Sequence, residues 1–392
     1  MNPLSTIMRK QTAIVGVGAT PFTKRGGSAP QTLDELVCKA IIAAADDAGI
    51  AVPEIDGFAY FAGGFDTPFL VETLGIPEVR YTASLTGSGG GSAGIVGLAA
   101  SAIVSGLAEV VVCVGAVQQT QVRYGAMTTA YAATPQSAFY KSAALVGPGH
   151  MFALLARRHM HLYGTRREHF AEVALTARAN AANHPRALMR KPLTLDQYMA
   201  APPIADPHCL YDFCLESDGA VAVIVTSAER AKDLRQRPVQ VLASTHGGAG
   251  EWGRSIYTMN MSDDTFASSG HAAVARRLYE MAGVGPNDID VAQIYDHFTS
   301  QVIMQLEDYG FCDKGEGGPF VASGAIRLDG GKIPVNTDGG QLSGAYIWGM
   351  THVQEAVEQL RGTAVNQVSG AEVALVTGGP ASLPVSGLIL GV

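Results

Sequence analysis

Hydrophobic positions along this chain follow two periods. Short unbroken apolar runs, rich in β-branched residues, occur at Thr12 to Val17, Gly219 to Thr226, Val239 to Ala243, Val291 to Ile294 and Val373 to Val376. They are too short for helices and predict strands buried on both faces. Between them, apolar residues recur every three to four positions at Asp34 to Ala48, Thr165 to Ala182, His271 to Ala282 and Met350 to Leu360, which predicts amphipathic helices. The apolar stretch from Ile95 to Val117 is broken by Ser101, Ser105, Gly106 and Glu109. It reads as a buried helix reaching about Val104, a turn and a buried strand, and not as a membrane span. Tyr81 to Gly87 makes a poor buried strand, because Thr, Ser and Gly dilute its apolar residues.

The elements repeat. Ala48-Gly49-Ile50 followed by Ile55-Asp56 returns, without gaps and 234 residues later, as Ala282-Gly283-Val284 followed by Ile289-Asp290. In both copies a helix precedes, glycine stops it, a proline (Pro53, Pro286) follows, and a strand begins after the aspartate. A second echo, Ala108-Glu109-Val110 with Gly115, returns as Ala371-Glu372-Val373 with Gly378, at an offset of 263. Two echoes in the same order predict a duplicated α/β chain with mostly parallel, buried strands. The halves are expected at 1–118 with 215–234 and at 235–392, with residues 119–214 inserted between strands of the first half.

Composition sharpens this picture. With 47% hydrophobic and only 16% charged residues in 392, a large core and an oligomer interface are expected. The net charge of −8 gives no global basic field and tells against nucleic acid as a partner. Between Gln119 and Cys214, however, ten Lys and Arg face five acids, leaving +5 there and −13 elsewhere. A basic insertion on an acidic body suits a phosphorylated ligand such as coenzyme A, with Arg186, Arg190 and Lys191 as candidates; the plainer reading is a solvated helix face. The five cysteines are scattered and lack C-x-x-C pairs, so neither a disulfide frame nor a zinc site is indicated, and no metal is expected. Reducing cytosol is the expected compartment, and no export signal is recognisable at the N-terminus.

Five segments carry candidate chemistry. Gly16-Val17-Gly18 lacks the third glycine of a dinucleotide fingerprint, since Pro21 stands there. Gly87 to Gly94, with Ser88, Gly89 and Ser92, opens a helix on backbone N–H groups suited to an oxyanion, and its G-x-S-x-G also resembles a serine elbow. Tyr295-Asp296-His297-Phe298-Thr299-Ser300 lies just past a strand's carboxyl end, where open α/β sheets place ligands; Asp296 or Ser300 serving only as a helix cap is the alternative. Asn336-Thr337-Asp338-Gly339-Gly340 and Gly344-Ala345-Tyr346-Ile347-Trp348-Gly349 read as a ligand-wrapping loop or a plain turn. Gly378-Gly379-Pro380 is a turn that can present N–H groups.

Taken in order, Gly-Leu-Ala-Glu-Val-Val-Val at 106–112, Ser-Asp-Gly-Ala at 217–220, Tyr-Asp-His-Phe-Thr-Ser at 295–300, Asn-Thr-Asp-Gly-Gly at 336–340 and Gly-Gly-Pro at 378–380 resemble the thiolase superfamily. Its sterol-carrier-protein thiolase and lipid-transfer branch is the nearest in pattern, over nearly the whole chain. The resemblance implies a duplicated five-layer αβαβα fold with an inserted loop domain. It also implies a nucleophilic cysteine at about Gly89, where this chain has none, and a second catalytic cysteine near 378–380, also missing. The family's two histidines are Tyr295 and Tyr346 here.

Loss of the nucleophile with gain of two tyrosines resembles the thiolase-like aldolases that cut steroid side chains. Such a chain would cleave a β-hydroxyacyl-CoA, a steroid 17-hydroxy-20-carboxyl-CoA, into a ketone and a short acyl-CoA such as propionyl-CoA. No cofactor is then needed, coenzyme A being part of the substrate. Tyr295 is expected as the base and Tyr346 as the proton donor, or the reverse, with His297 favoured over Asp338 as the neighbour that tunes the base. Backbone groups at Gly89 and Gly379, with Ser88 and Asn336, are candidate substrate or oxyanion contacts. The resemblance further implies a cytoplasmic homodimer that joins a small zinc-ribbon and OB-fold partner in a heterotetramer. The rivals are a non-catalytic acyl-CoA or sterol carrier, and an acyltransferase using Ser88 or Ser92.

Overall fold

The computed structural model describes residues 7–61, 66–86, 88–119, 138, 141–145, 147–249, 266–379 and 384–392, Ser88 by its backbone alone. In chain order the first half contains β1 (Thr12–Ala19), β2 (Thr23–Lys24), α1 (Leu33–Ala48), β3 (Gly57–Phe61), α2 (Thr67–Leu74), β4 (Tyr81–Leu85), α3 (Gly94–Val104) and β5 (Val110–Gln118). Then come α4 (Pro148–Tyr163), α5 (Arg167–Ala182), α6 (Leu195–Ala200) and the short hairpin β6 (Pro203–Ala205) and β7 (His208–Cys209), before β8 (Ser217–Ser227) rejoins the sheet. The second half contains β9 (Val239–Gly247), α7 (Ala272–Ala282), β10 (Val291–Gln293), α8 (Thr299–Asp308), α9 (Gly317–Ala322), α10 (Met350–Arg361), β11 (Val373–Gly378) and β12 (Val385–Gly391).

The echo in the sequence is an echo in space. The first half runs β1-β8-β5-β3-β4 and the second β9-β12-β11-β10, the two meeting where β1 pairs with β9 through Ala13 and Ile14. An isolated parallel bridge from Ala292 to Val335 stands where β4 stands in the first half. Each repeated aspartate closes its own half: the Asp56 carboxylate accepts the N–H groups of Glu109 and Val110, and Asp290 those of Glu372 and Val373. The two echoed segments of each half are therefore bonded to each other.

The expectation of mostly parallel strands is overturned. Parallel pairing joins β3 to β4, β3 to β5 and β10 to β11; every other pair of these strands among the described residues is antiparallel. A strand covered on both faces needs an apolar run whichever way it points, so the run alone does not encode direction. Tyr81–Leu85 does form a strand, half-buried at the sheet edge, where an apolar run is not required.

Five layers result. α3 and α10 lie between the sheets and share one core, in which Ile95, Val96 and Ala99 meet Val353, Ala356 and Val357. α1 covers the outer face of the first sheet with Leu36, Val37 and Ile41. α7 and α8 cover the second with Leu278, Val302, Ile303 and Leu306. Each fully buried aliphatic side chain contributes roughly 1.5–3 kcal/mol, so the low charged fraction is accounted for by these stacked layers. Among the described residues no helix is long and apolar enough to cross a membrane.

Candidate active site

Tyr295 follows β10 and Tyr346 precedes α10, and both rings are buried. The Tyr295 hydroxyl donates to the Tyr346 hydroxyl at 3.4 Å, so segments 51 residues apart meet at their two phenols. Burial pushes the Tyr295 phenol well above its ordinary value, which keeps it protonated and makes it the donor of the pair.

The helix-opening glycines border this pair. A Cβ at Gly89 would lie 2.0 Å from the Tyr295 hydroxyl oxygen. Residue 89 therefore has no room for a side chain, because the phenol of Tyr295 occupies that space. Gly379, left-handed at φ +105°, lies against the backbone of Gly90, and its carbonyl accepts from His271 Nε2 at 3.3 Å. The loops expected to supply oxyanion donors thus converge on the tyrosines. The side chain of Ser88 and all of Pro380 lie outside the described residues. Ser92 is fully buried and donates to the Gly89 carbonyl at 2.9 Å, a bond that closes the glycine-rich turn.

Polar side chains fix both tyrosine backbones. Ser217 Oγ accepts from the Tyr346 N–H at 2.9 Å and donates to its carbonyl at 2.8 Å. Around Tyr295, Thr377 Oγ1 accepts the N–H at 2.8 Å and donates to Gln305 Oε1, while Gln305 Nε2 donates to the Tyr295 carbonyl. Asp296 joins the two tyrosine-bearing segments of the site: its carboxylate accepts the N–H groups of Gln341 and Leu342 and meets His352 Nε2 at 3.1 Å. The 340–344 turn depends on glycine for this, since a Cβ at Gly340 (φ +59°) would meet Asp296 Oδ2 at 2.1 Å. None of Ser217, Gln305, Thr377 and His352 stood out in the sequence as site residues. Ser217 opens the Ser-Asp-Gly-Ala segment and Thr377 directly precedes Gly378-Gly379, but no spacing rule couples either to a tyrosine in another segment.

Other expected site residues lie close but do different work. The His297 ring stands 5.3 Å from that of Tyr295 and packs edge-on against Phe152 and Phe298. Neither ring nitrogen makes a well-formed hydrogen bond among the described residues, and burial first of all pushes its pKa down to about 3. A neutral imidazole brings no positive charge to Tyr295, which corrects the expectation that His297 favours the phenolate. Asn336 is left-handed at φ +49°, and both ends of its amide bind the backbone of Ile294, so its side chain builds the loop. The Asp338 carboxylate caps Gly340 N–H at 2.8 Å and faces a small cavity shared with His184 and Arg186. Arg186 pairs with Glu358, Arg190 donates to the Ala182 carbonyl, and the Lys191 side chain is exposed.

An apolar cavity of about 450 Å³ lies beside the site, between residues 147–150 and 210–216, with Met189, Ile204 and Leu342 in its wall and Arg178 and Glu216 as charged groups. Cys214, also in the wall, donates its N–H to the His297 carbonyl, so the cavity backs onto the tyrosine segment. Its volume and apolar lining are those of a small-molecule pocket.

Two duplicated halves and a site between β10, β11 and the glycine-rich helix entry define the class, and the chain belongs to the thiolase superfamily. Residues 12–193 match the thiolase N-terminal domain and residues 248–388 the thiolase C-terminal domain-like family. The chain is 40% identical over 389 residues to the 17-hydroxy-3-oxo-4-pregnene-20-carboxyl-CoA lyase of Mycobacterium tuberculosis, covering 97% of this chain and 99% of that one. It is 38% identical to a steroid side-chain-cleaving aldolase of Thermomonospora curvata, over 97% of each. Among solved structures, an Ltp2-ChsH2(DUF35) aldolase superposes with a TM-score of 0.90 at 37% identity, covering 98% of both chains.

Proposed function

We propose that this chain is a retro-aldolase acting on a β-hydroxyacyl-CoA, a steroid 17-hydroxy-20-carboxyl-CoA. The observation that carries this reading is the Tyr295 phenol in the space a side chain at position 89 would need, which replaces nucleophile chemistry with proton transfer. The named relatives support the same activity.

Retro-aldol cleavage needs a base at the 17-hydroxyl, stabilisation of the thioester oxygen as an enolate forms, and an acid at the enolate carbon. The 17-hydroxyl loses its proton, C17=O forms as the C17–C20 bond breaks, and those electrons pass into the thioester. Protonation at C20 then releases propionyl-CoA. Tyr295, kept protonated by burial, is the acid. Tyr346, whose oxygen accepts the Tyr295 hydrogen bond, is the base. This is the second of the two orders that the sequence left open. The N–H groups at Gly89 and Gly379 are the oxyanion donors, and the apolar cavity beside Cys214 receives the uncharged bulk of the substrate.

Among the described residues β4 is paired on one side alone, which supports a homodimer, and the match to an Ltp2-ChsH2(DUF35) structure supports a small partner protein, a zinc-ribbon and OB-fold chain, in a heterotetramer. Five free cysteines support a reducing cytosol.

The test is release of the 17-ketosteroid and propionyl-CoA by the purified chain, alone and with its partner, in D₂O. Tyr346→Phe should abolish ketone formation. Tyr295→Phe should slow it and let deuterium enter C2 of propionyl-CoA without stereochemical preference. Tight binding of the substrate with no ketone in either format would overturn the reading in favour of a carrier protein.

A further inference from the structure

We infer that His184, Glu355 and Glu358 form a binding site for a first-row divalent transition cation of the zinc type, behind the loop that carries Tyr346. Glu355 and Glu358 stand one turn apart on α10 and so share a face. His184 follows the end of α5 and comes to them from 171 residues away. Their donor atoms all lie within 4.8 Å of one another.

Orphaned polar atoms point to a missing ligand. His184 is only 2% exposed, yet among the described residues neither ring nitrogen has a hydrogen-bond partner. Glu355 is fully buried; its Oε1 accepts from Thr337 and Gln359, while Oε2 has no hydrogen-bond partner among the described residues and lies 3.9 Å from His184 Nε2. Leaving such buried atoms unpaired is costly, so a ligand belongs between them. A cavity of about 10 Å³ opens on the His184 side of this cluster, with Arg186, Asp338 and Gln354 also in its wall. That volume is about one water or one ion.

The donor set chooses between those occupants. One imidazole with two carboxylates suits zinc or its neighbours, whereas magnesium and calcium take oxygen donors. Metal–ligand bonds of about 2.0–2.2 Å require the three donor atoms to draw in by about 1 Å. A positive charge already stands there: Arg186 Nη2 pairs with Glu358 Oε2 at 2.5 Å. Its side chain is 35% exposed, so it can swing outward as a cation takes its place on Glu358. The segment after His184 is bonded to the tyrosine loop, Leu188 N–H to the Gly344 carbonyl and Met189 N–H to that of Ser343. A bound cation would therefore clamp α5, α10 and the 340–346 loop together. No sequence spacing predicted it, because two of the ligands and the third lie in different halves of the chain.

The experiment uses the full chain without an affinity tag, stripped with chelator and desalted. ZnSO₄ should bind at one equivalent per chain, survive a second desalting and raise the melting temperature, while MgCl₂ and CaCl₂ should change nothing. CoCl₂ should give visible d–d absorption bands. Glu358→Gln, a near-isosteric change at a side chain 16% exposed, should weaken zinc binding at least roughly tenfold, and His184→Gln should abolish the cobalt bands. Zinc lost on desalting, or zinc and cobalt binding unchanged in both variants, would overturn the site and leave the cavity to a water molecule. If His184→Gln fails to fold, Glu358→Gln still decides.

Discussion

Ser217 holds Tyr346 by both backbone groups, accepting its N–H and donating to its carbonyl through a single hydroxyl. Ser217 is itself fixed by Gln119 Oε1 at its own N–H, and the neighbouring Asp218 accepts from Gly26, Ser28 and Gln119. Tyr346 is thus aimed from the first half of the chain, while Tyr295 is aimed from the second by Thr377 and Gln305.

Ser217→Ala should therefore lower kcat by on the order of 10- to 100-fold, since small misplacement of a reacting group has that effect. It should leave KM nearly unchanged. Losing both hydrogen bonds should also cost about 1–3 kcal/mol of stability. Steady-state ketone release with a urea melt measures both. A variant with normal kcat but the expected loss of stability would show that the clamp serves the fold and not the aim of Tyr346.

Gly89 and Tyr295 compete for one volume. Gly89→Ala should displace the phenol and destabilise the chain, by about 1–3 kcal/mol as overpacking of a core usually does. Tyr295→Ala alone should destabilise by leaving a cavity. Combined, the two should cost less than the sum, because the methyl then has space. Thermal melts of the four proteins give the coupling directly; strict additivity would mean that residue 89 does not touch the tyrosine. By the same geometry Gly89→Cys should not gain thiolase activity, as read by trapping an acyl-cysteine with acetyl-CoA.

The duplication was legible because an aspartate in each half must find the same two N–H groups, and this requirement keeps Asp56 with Glu109-Val110 and Asp290 with Glu372-Val373 in the sequence. Strand direction was not legible, since double-sided burial selects apolar residues without regard to it. The tyrosine pair could be located by resemblance, but the roles within Asn-Thr-Asp-Gly-Gly were misread. Asn336 and Asp338 look like chemistry in a list of residues, and in space their side chains build the turn around Ile294 and Gly340. The residues that aim the tyrosines were invisible, because a buried hydroxyl reveals its partner only after the chain has folded.

Those two aspartates give a test of the duplicated plan. Asp56→Ala and Asp290→Ala each strip two strand N–H groups of their acceptor, and each should cost about 1–3 kcal/mol. They share no partner, so the double variant should lose the sum to within about 0.5 kcal/mol. Urea titration of the single and double variants decides; a loss well short of the sum would mean that the two halves do not each rely on their own closure.

Acid should weaken the fold through histidines buried in the neutral form. Burial pushes His297 down to about 3 and His271 and His208 down to about 4, against about 6.5 in the unfolded chain. With the folded value depressed, the unfolded state binds more protons below pH 6.5. The stability these groups contribute is complete above that pH and is lost as pH falls toward 4 and 3. At pH 5 each histidine accounts for a loss on the order of 2 kcal/mol, and three of them are a large share of a typical total of about 5–15 kcal/mol. The urea midpoint should therefore drop steeply between pH 7 and pH 5. His297→Phe, seated between Phe152 and Phe298, keeps an aromatic ring without the titrating group, and should flatten that slope by about one proton. Superimposable pH profiles for the variant and the parent would show that His297 is already protonated, or open to water, in the folded chain.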